Sequence, residues 1–254
     1  MCGRYELHSH PAAIALAFGL RYPPEIHARF NIAPTQSVPI IRQNTLGERE
    51  LVQVKWGLVP RWAKDPSIGT KLINARSESV ADKPAFRMAF ARHRCLLPAD
   101  GFYEWQQCAD GNKKPIRVAM ADGSSFGLAG LYERWLSPEG EPLDTCTILT
   151  TEANALLRGV HSRMPLIIPP EQYATWLDPT TEDVQSIVAP FPAEAMMITP
   201  VSRRVNNVKN DDAALIEPLS PDEAASDSEP MQAELPVEVS DDEAVEEPVQ
   251  SQLF

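Results

Sequence analysis

The chain begins Met1-Cys2-Gly3-Arg4, and Cys2 has the most distinctive chemistry of any residue in it. Aminopeptidases usually remove an initiator Met when a small residue follows, so we expect the mature chain to begin at Cys2. An N-terminal Cys carries a thiol and an α-amine on neighbouring carbons, and the amine has a pKa of about 7.7–8.0. The amine can condense with an aldehyde, and the thiol can then close on the same carbon to form a stable thiazolidine. A chance Cys in a frayed terminus is the alternative that this position alone leaves open.

Three further side chains suit proton transfer or positioning. Glu104 lies among aromatic residues in Phe102-Tyr-Glu-Trp105, and apolar surroundings raise the pKa of a carboxyl, which suits an acid–base role. His161 lies between a predicted helix and an apolar run, a position common for site residues. Asn74 lies in the polar tract Thr70–Ser79. Each also has an ordinary explanation, because Glu104 can be an ion-paired strand residue and Asn74 a turn or cap residue.

Other residues suit contact with single-stranded nucleic acid. Trp62 follows a Gly/Pro turn beside Arg61 and Lys64, a pattern typical of a surface platform on which unpaired bases stack. Trp56, by contrast, is expected in the core. Asn31 lies in a Pro-punctuated loop, where it could bind a ligand or equally satisfy loop backbone groups.

Composition limits the class of protein. A chain of 254 residues with 43% apolar residues can form one large domain or two small ones. It has no apolar run of about 18 residues and no signal-peptide pattern, so we expect no membrane span and a cytoplasmic location. The four cysteines are scattered without a Cys-x-x-Cys spacing, which argues against a zinc ribbon or a disulfide framework. Cys95 and Cys146 lie in apolar runs and are expected in the core.

The net charge of −12 arises at the C-terminal end. Residues 221–254 contain eleven Asp and Glu and no Lys or Arg, which leaves 24 acidic against 23 basic residues in residues 1–220. From residue 217 the chain is rich in Pro, Glu, Asp, Ser and Ala, a composition typical of disorder. We predict one domain over residues 2–216 and a disordered acidic tail over residues 217–254. The near-neutral body can still carry a basic groove for nucleic acid.

Hydrophobic patterning predicts many short strands and few helices, which indicates an α+β fold. Strands are expected at about 37–42, 50–57, 115–120, 125–132, 144–151 and 196–200. Helices are expected over residues 10–19, 84–91 and 152–158, with two more short ones in 171–189. Asp100-Gly101 is expected to form a tight turn between two strands.

Six motifs, in order along the chain, resemble the SOS-response-associated peptidase family, the abasic-site processing proteins that cross-link to single-stranded DNA. They are Met1-Cys-Gly-Arg4, Asn31-Ile-Ala-Pro-Thr35, Trp56-Gly-Leu-Val-Pro60, Asn74-Ala-Arg-Ser-Glu78, Pro98-Ala-Asp-Gly-Phe-Tyr-Glu-Trp105 and His161-Ser-Arg-Met-Pro165. The resemblance runs from Cys2 to about Asn210, so it covers the body and leaves out the tail. It implies a mixed, mostly antiparallel barrel-like sheet flanked by short helices, with a positively charged groove for single-stranded DNA.

The resemblance also implies roles for individual residues. Cys2 is the nucleophile and ends in a thiazolidine with the ring-opened deoxyribose. Asn74 positions the Cys2 amine or the sugar, and Glu104 moves protons during imine formation and ring closure. His161 assists opening of the sugar and the reverse reaction. The expected DNA contacts are Arg4, Asn31, Trp62, Arg76 and Arg163. We expect a monomer that needs no cofactor and no metal.

Three functions remain open on the sequence. The first is an enzyme that cross-links to abasic sites in single-stranded DNA and shields them from strand cleavage. The second is an N-terminal-nucleophile hydrolase that uses the Cys2 thiol with its own amine as base. The third is a non-enzymatic adaptor that binds single-stranded DNA by stacking and charge. The family name also implies a peptidase, and the residues support at most self-removal of Met1.

The last residues, Gln250-Ser-Gln-Leu253-Phe254, resemble the short Gln-x-x-Leu-Phe peptide by which bacterial proteins dock on the DNA-polymerase sliding clamp. Gln250, Leu253 and Phe254 are the expected clamp contacts. The acidic tail would act as a tether spanning on the order of 30 Å as a coil. Chance occurrence of so short a motif is the alternative.

Overall fold

The computed structural model describes residues 2–108, 111–181 and 183–219, and most of its regular structure is strand. The strands are β1 (Tyr5–Leu7), β2 (Arg29–Ile32), β3 (Ser37–Gln43), β4 (Arg49–Trp56), β5 (Asn74–Arg76), β6 (Arg94–Ala99), β7 (Gly101–Gln107), β8 (Lys113–Met120), β9 (Phe126–Leu136), β10 (Pro142–Glu152), β11 (Arg163–Pro165), β12 (Ile167–Ile168) and β13 (Met196–Pro200). The α-helices are α1 (Pro11–Phe18), α2 (Arg87–Arg92) and α3 (Tyr173–Leu177). Short 3-10 helices span Pro66–Lys71, Pro170–Gln172, Gln185–Ile187, Ala193–Ala195, Arg203–Asn206 and Ala213–Ile216.

Five strands close into a barrel in the order β10-β4-β3-β6-β9, with β9 pairing back onto β10. The pairs around the barrel are antiparallel except β4 with β10, which run parallel. Side chains alternate between the two faces of a strand, so every second residue enters the interior. Trp56, Cys95 and Cys146 are each 0% exposed, which confirms the core positions expected for them.

The end of β10 extends past the barrel and carries two short strands. β5 pairs with it in parallel, with Asn74 opposite Ile148 and Arg76 opposite Thr150. β11 pairs antiparallel with the last residues of β10 and places Arg163 opposite Glu152. The tip of β10 therefore brings together chain segments that lie far apart in sequence.

A second, antiparallel sheet has the order β13-β8-β7-β1-β2. One face, which includes Phe102 and Val118, packs into the core shared with the barrel. The other face, which includes Tyr103, is covered by residues 201–216, in which Val205 and Leu215 are buried. This covering segment ties the C-terminal end of the body to the strand that follows Cys2.

The expected fold class is confirmed, with a barrel-like, mostly antiparallel sheet and a few short helices. The helix expected over residues 10–19 is α1, which ends at Gly19 in the left-handed conformation at φ 65°. Residues 220–254 lie outside the described residues, and so does the clamp-like peptide, so the boundary at residue 216 stays a prediction. In the residues that the structure describes, no helix is long and apolar enough to cross a membrane.

Two local predictions are wrong. The segment Glu152–Arg158 is not a helix, because β10 continues to Glu152 and the next residues form turns. Asp100-Gly101 does not close a hairpin, because β6 belongs to the barrel and β7 to the second sheet. At this crossing the Asp100 carboxylate accepts hydrogen bonds from the backbone N–H groups of His8 and Ser9 at 2.6 and 2.7 Å. Asp100 thus joins two chain segments rather than turning one strand back on its neighbour.

Candidate active site

Cys2 precedes β1 and is buried where the two sheets meet. Its side chain is 0% exposed and belongs to the main apolar core. Burial raises the pKa of the Cys2 thiol to about 12, and the negative charge of Glu104 acts in the same direction. The thiol is therefore protonated at neutral pH, so a base has to take its proton before the sulfur can act as a nucleophile.

Asn74 links the two sheets at Cys2. It opens β5 on the barrel side, and its Nδ2 donates a hydrogen bond to the carbonyl oxygen of Cys2 at 2.8 Å. Its Oδ1 is buried and accepts no hydrogen bond from the described part of the chain. Leaving a buried acceptor unsatisfied costs about 1–3 kcal/mol. Asn74 Oδ1 is therefore well suited to accept a hydrogen bond from an incoming group.

Glu104 approaches Cys2 from β7. The backbone N–H of Tyr103 donates to the carbonyl of Arg4 at 2.9 Å, in the antiparallel pairing of β1 with β7. The same register places Glu104 beside Gly3, the residue that follows Cys2. The Glu104 side chain is 5% exposed, and its acid–base role stays a prediction.

Burial shifts the pKa values of Glu104 and His161 in opposite directions. It raises the pKa of the Glu104 carboxyl and lowers that of the His161 ring, because poorly solvated surroundings disfavour the charged form of each. The positive charge of Lys113 acts on both groups and lowers the pKa of each. Glu104 and His161 are therefore both close enough to Lys113 to be affected by its charge. His161 is neutral at neutral pH.

The ring of His161 is oriented by the first residue of β11. Its Nδ1 accepts a hydrogen bond from the backbone N–H of Arg163 at 2.9 Å. The same Nδ1 lies 3.2 Å from the carbonyl oxygen of Arg163, so both backbone groups of Arg163 hold the ring in place.

His161 and two of the expected arginines line one open cavity at the tip of β10. This cavity, the tip cavity, has a volume of about 620 Å³, and its wall is formed by Arg76, Glu152, Ala153, Arg158, His161, Ser162 and Arg163. Asn74 and Arg76 are two residues apart on β5, so their side chains share a face of that strand at about 7 Å separation. The hydrogen bond from Asn74 to Cys2 therefore lies close to the tip cavity.

The arginines of the tip cavity differ in their surroundings. Arg163 forms a two-point ion pair with Glu78, at 2.7 and 3.0 Å, and its side chain is only 15% exposed. It also donates to Thr150 Oγ1 at 3.2 Å. Arg76 and Arg158 are exposed, and neither forms an ion pair among the described residues. Arg163 is held rigidly, whereas the other two keep their charge available.

Arg4 and Asn31 lie together under the covering segment, away from that wall. Arg4 donates to Asn31 Oδ1 and to the carbonyl of Val205, both at 2.7 Å, and its guanidinium lies 5.7 Å from the Trp105 ring centre. Burial lowers the pKa of Arg4. Asn31 is 1% exposed, and its Nδ2 donates to three backbone carbonyls, the shortest bond reaching Asn210 at 2.7 Å. These contacts stabilise the fold, and the DNA contacts expected for Arg4 and Asn31 stay predictions.

Trp62 also lies apart from the tip cavity. Its side chain is 61% exposed, which confirms the surface position expected from the sequence. It lines a different cavity of about 250 Å³, together with Lys64 and Lys71. An exposed indole beside two lysines fits stacking on an unpaired base, and the DNA contact of Trp62 stays a prediction.

The sequence did not point to Arg158 or Lys113. Arg158 fell inside an expected helix, and only the turn that replaces the helix brings it into the same wall as His161. Lys113 opens β8, and its influence on Glu104 and His161 depends on how β8 pairs with β7. The short spacing in Arg158-Gly-Val-His161 could have indicated that Arg158 lies near His161. The sequence contains no comparable signal for Lys113.

No group of three or more His, Cys, Asp or Glu side chains in the described ranges could hold a metal ion.

Comparison with known proteins identifies the family. A model of the SOS response associated peptidase family matches residues 1–208. The abasic site processing protein YoqW of Bacillus subtilis is 42% identical over 223 residues, which cover 85% of this chain and 99% of the relative. The abasic site processing protein YoaM of the same organism is 41% identical over 223 residues, which cover 85% of this chain and 98% of the relative.

The fold agrees with this result. A crystal structure of a Bacteroides thetaiotaomicron protein superposes with a TM-score of 0.77 at 26% identity, covering 86% of this chain and 100% of the other. The chain belongs to the SOS-response-associated peptidase family. The resemblance carried by the six sequence motifs is therefore confirmed.

Proposed function

We propose that this protein processes abasic sites in single-stranded DNA by forming a covalent bond between Cys2 and the lesion. Relatives that match over most of the chain are named abasic site processing proteins. The observation that carries the proposal is the hydrogen bond from Asn74 to the Cys2 carbonyl. It holds the N-terminal cysteine close to a cavity lined by arginines and His161, where a phosphodiester strand fits.

The reaction begins once Met1 has been removed. The Cys2 amine adds to the C1′ aldehyde of the ring-opened deoxyribose and gives a carbinolamine. Loss of water gives an imine, and the thiol sulfur then adds to the same carbon while its proton passes to the nitrogen. The aldehyde oxygen leaves as water and a thiazolidine remains, so the step needs no oxidant or reductant. Ring closure consumes the imine before β-elimination can cut the strand.

Each neighbouring side chain has a role in these steps. Glu104, with its raised pKa, donates a proton to the departing hydroxyl and afterwards takes the proton of the buried thiol. His161, whose ring is oriented by the backbone of Arg163, donates a proton to the ring oxygen as the closed sugar opens, and the same group assists the reverse reaction. Asn74 Oδ1 accepts a hydrogen bond from the Cys2 amine and so orients its lone pair.

The strand itself is bound through charge and stacking. Arg76 and Arg163 face its phosphates across the tip cavity, and Trp62 stacks on a neighbouring base. Peptidase activity is limited to removal of Met1, which creates the reactive amine.

A second part of the proposal concerns the C-terminus, where Gln250, Leu253 and Phe254 bind the replication sliding clamp. The clamp would hold the enzyme near stalled forks, where abasic sites become single-stranded. A peptide covering Val249–Phe254 should bind the clamp, and Leu253→Ala and Phe254→Ala should abolish that binding. Absence of binding at high micromolar clamp would leave the tail without this role.

The cross-link is tested by intact mass after incubation with an abasic single-stranded oligonucleotide. The parent protein should gain the mass of the oligonucleotide less one water and keep it on heating. Cys2→Ser keeps the amine but has no thiol, so we expect no stable adduct and more strand cleavage. A heat-stable adduct on Cys2→Ser would contradict thiazolidine formation. Cleavage of an amide substrate instead would favour the hydrolase, and binding without any adduct would favour the adaptor.

A further inference from the structure

The turn between β10 and β11 presents an exposed arginine, Arg158, on the wall of the tip cavity. We propose that Arg158 binds a backbone phosphate of the single-stranded DNA next to the abasic nucleotide. The inference rests on the function proposed above and adds a phosphate contact that the sequence motifs do not include.

The turn that carries Arg158 is held in place by buried residues of the same turn. Asn154 is 7% exposed, and its Nδ2 donates to the carbonyl of Phe191 at 2.8 Å, while its Oδ1 accepts from the backbone N–H of Leu157 at 3.1 Å. Leu157 itself is 1% exposed. The backbone N–H of Arg158 donates to the Asn154 carbonyl at 3.0 Å. A long side chain on a fixed backbone loses less freedom on binding than one on a mobile loop.

The same turn positions His161. The backbone N–H of His161 donates to the carbonyl of Leu157 at 3.0 Å. Leu157 directly precedes Arg158 in the chain. A phosphate held by Arg158 would therefore sit at a fixed distance from the imidazole. This geometry suits a strand whose abasic sugar faces His161 and whose adjacent phosphate faces Arg158.

The charge balance of the wall leaves room for this phosphate. Glu78 pairs with Arg163, and Glu152 is the one carboxylate among the described residues that line the cavity. Arg76 and Arg158 add two permanent charges, since a guanidinium does not lose its proton in proteins. Two exposed guanidinium groups on one wall, neither in an ion pair among the described residues, fit successive phosphates of a strand better than a single charged group.

The experiment measures binding of an unmodified single-stranded oligonucleotide by fluorescence anisotropy across a series of salt concentrations. For single strands the logarithm of affinity falls with the logarithm of salt by about 0.7 for each neutralised phosphate. Arg158→Ala should make that slope shallower by about 0.7, and Arg158→Lys should restore it. Glu152→Gln removes a negative charge from the same wall and should tighten binding.

Arg92→Ala is the matched control. Arg92 is also an exposed arginine on a cavity of about 620 Å³, but that cavity lies between α2 and the loop after α3. The control should keep the parental salt slope. If Arg158→Ala keeps that slope while Arg76→Ala loses part of it, or if Arg158→Ala and Arg92→Ala change it equally, the proposed contact is overturned.

Cross-linking in the same set of variants separates this inference from the function on which it rests. At sub-saturating abasic oligonucleotide, Arg158→Ala should form the covalent adduct more slowly than the parent protein, because it binds the strand less tightly, whereas Arg92→Ala should keep the parental rate. A parent protein that forms no adduct would overturn the proposed function, whereas the salt slopes would still decide whether Arg158 contacts a phosphate.

Discussion

The barrel and the second sheet bury polar groups in different ways. The barrel interior is apolar, and burial alone raises the pKa of its Cys146 thiol above the ordinary range. The second sheet buries Glu6 at 0% exposure and pairs it with Arg117 Nε and with the Tyr103 hydroxyl, both at 2.6 Å. The thiol of Cys146 thus lies in an apolar core, whereas the second sheet buries a carboxylate that is paired with a guanidinium and a hydroxyl.

The candidate site lies where these two regions meet. Asn74 comes from the barrel side, and Glu104 from the second sheet, with Cys2 between them. Burial raises the pKa of the Cys2 thiol and of the Cys146 thiol alike, so a raised pKa does not mark a nucleophile. The polar neighbours distinguish Cys2, because the Asn74 amide binds its carbonyl and the charge of the Glu104 carboxyl acts on its thiol.

The largest expected effect is on the rate of adduct formation, and it follows from a change in Glu104, which the second sheet contributes to the site. Glu104→Gln should slow adduct formation by roughly 10²–10⁴-fold, because the amide can neither donate the proton to the departing hydroxyl nor accept it from the thiol. Cys146→Ala, which changes a buried thiol inside the barrel, should leave the rate unchanged. The rates come from single-turnover cross-linking followed on denaturing gels. A parental rate for Glu104→Gln would show that the proton passes elsewhere.

The next effect is on stability and separates the two regions directly. Arg117→Met leaves the Glu6 carboxylate buried without its cation, and removing one partner of a buried pair costs about 3 kcal/mol or more. The double change Arg117→Met with Glu6→Gln should recover part of that loss. Cys146→Ala in the barrel should cost about 1 kcal/mol. Urea unfolding measures all three, and equal losses for the two single changes would remove the contrast between the regions.

A third change sharpens the comparison at the link between the regions. Asn74→Ala removes the hydrogen bond to the Cys2 carbonyl and should slow adduct formation by up to about 10²-fold through misplacement of the amine. Binding of undamaged single strands should stay at the parental level, because the side chain carries no charge. Loss of binding together with the rate would mean that Asn74 supports the fold of the cavity instead.

The smallest effect probes the edge of the polar network. The carboxylate of Glu6, whose Oε1 lies 3.6 Å from His8 Nε2, raises the pKa of His8 above its ordinary value of 6.5, and the negative charge of Asp100 acts in the same direction. A raised folded-state pKa contributes stability that is complete below pH 6.5 and is lost as the pH rises through the folded-state pKa. The free energy of unfolding should therefore fall slightly above pH 6.5, by less than about 1 kcal/mol. His8→Gln should remove this dependence, and an identical pH profile would exclude His8 as its source.

Local patterns in the sequence predicted what depends on neighbours in the chain. Alternation predicted the strands, and the flanking residues separated buried Trp56 from exposed Trp62. The turn at Asp100 was mistaken for a hairpin, because a two-residue turn between apolar runs does not reveal that the runs join different sheets. The course of the chain between the two sheets depends on contacts that no short window of sequence contains.

The arrangement of the arginines could not be predicted for the same reason. Arg4 and Arg76 look alike in sequence, yet Arg4 is bound to the carbonyl of Val205, which lies 201 residues away. Arg163 forms an ion pair with Glu78, whereas Arg158 forms none among the described residues. Which cation stays available is decided by tertiary pairing, and no local motif encodes it.

The burial of Cys2 also has a consequence for the order of events during synthesis. Asn74, which binds the Cys2 carbonyl, follows it by 72 residues and the β7 strand follows later still, so Cys2 is synthesised before the strands that bury it. An aminopeptidase needs an extended N-terminus, so its time for removing Met1 ends when these strands close over Cys2. Once they have closed, the Cys2 amine of the proposed mechanism can be released only by side chains of the folded protein itself.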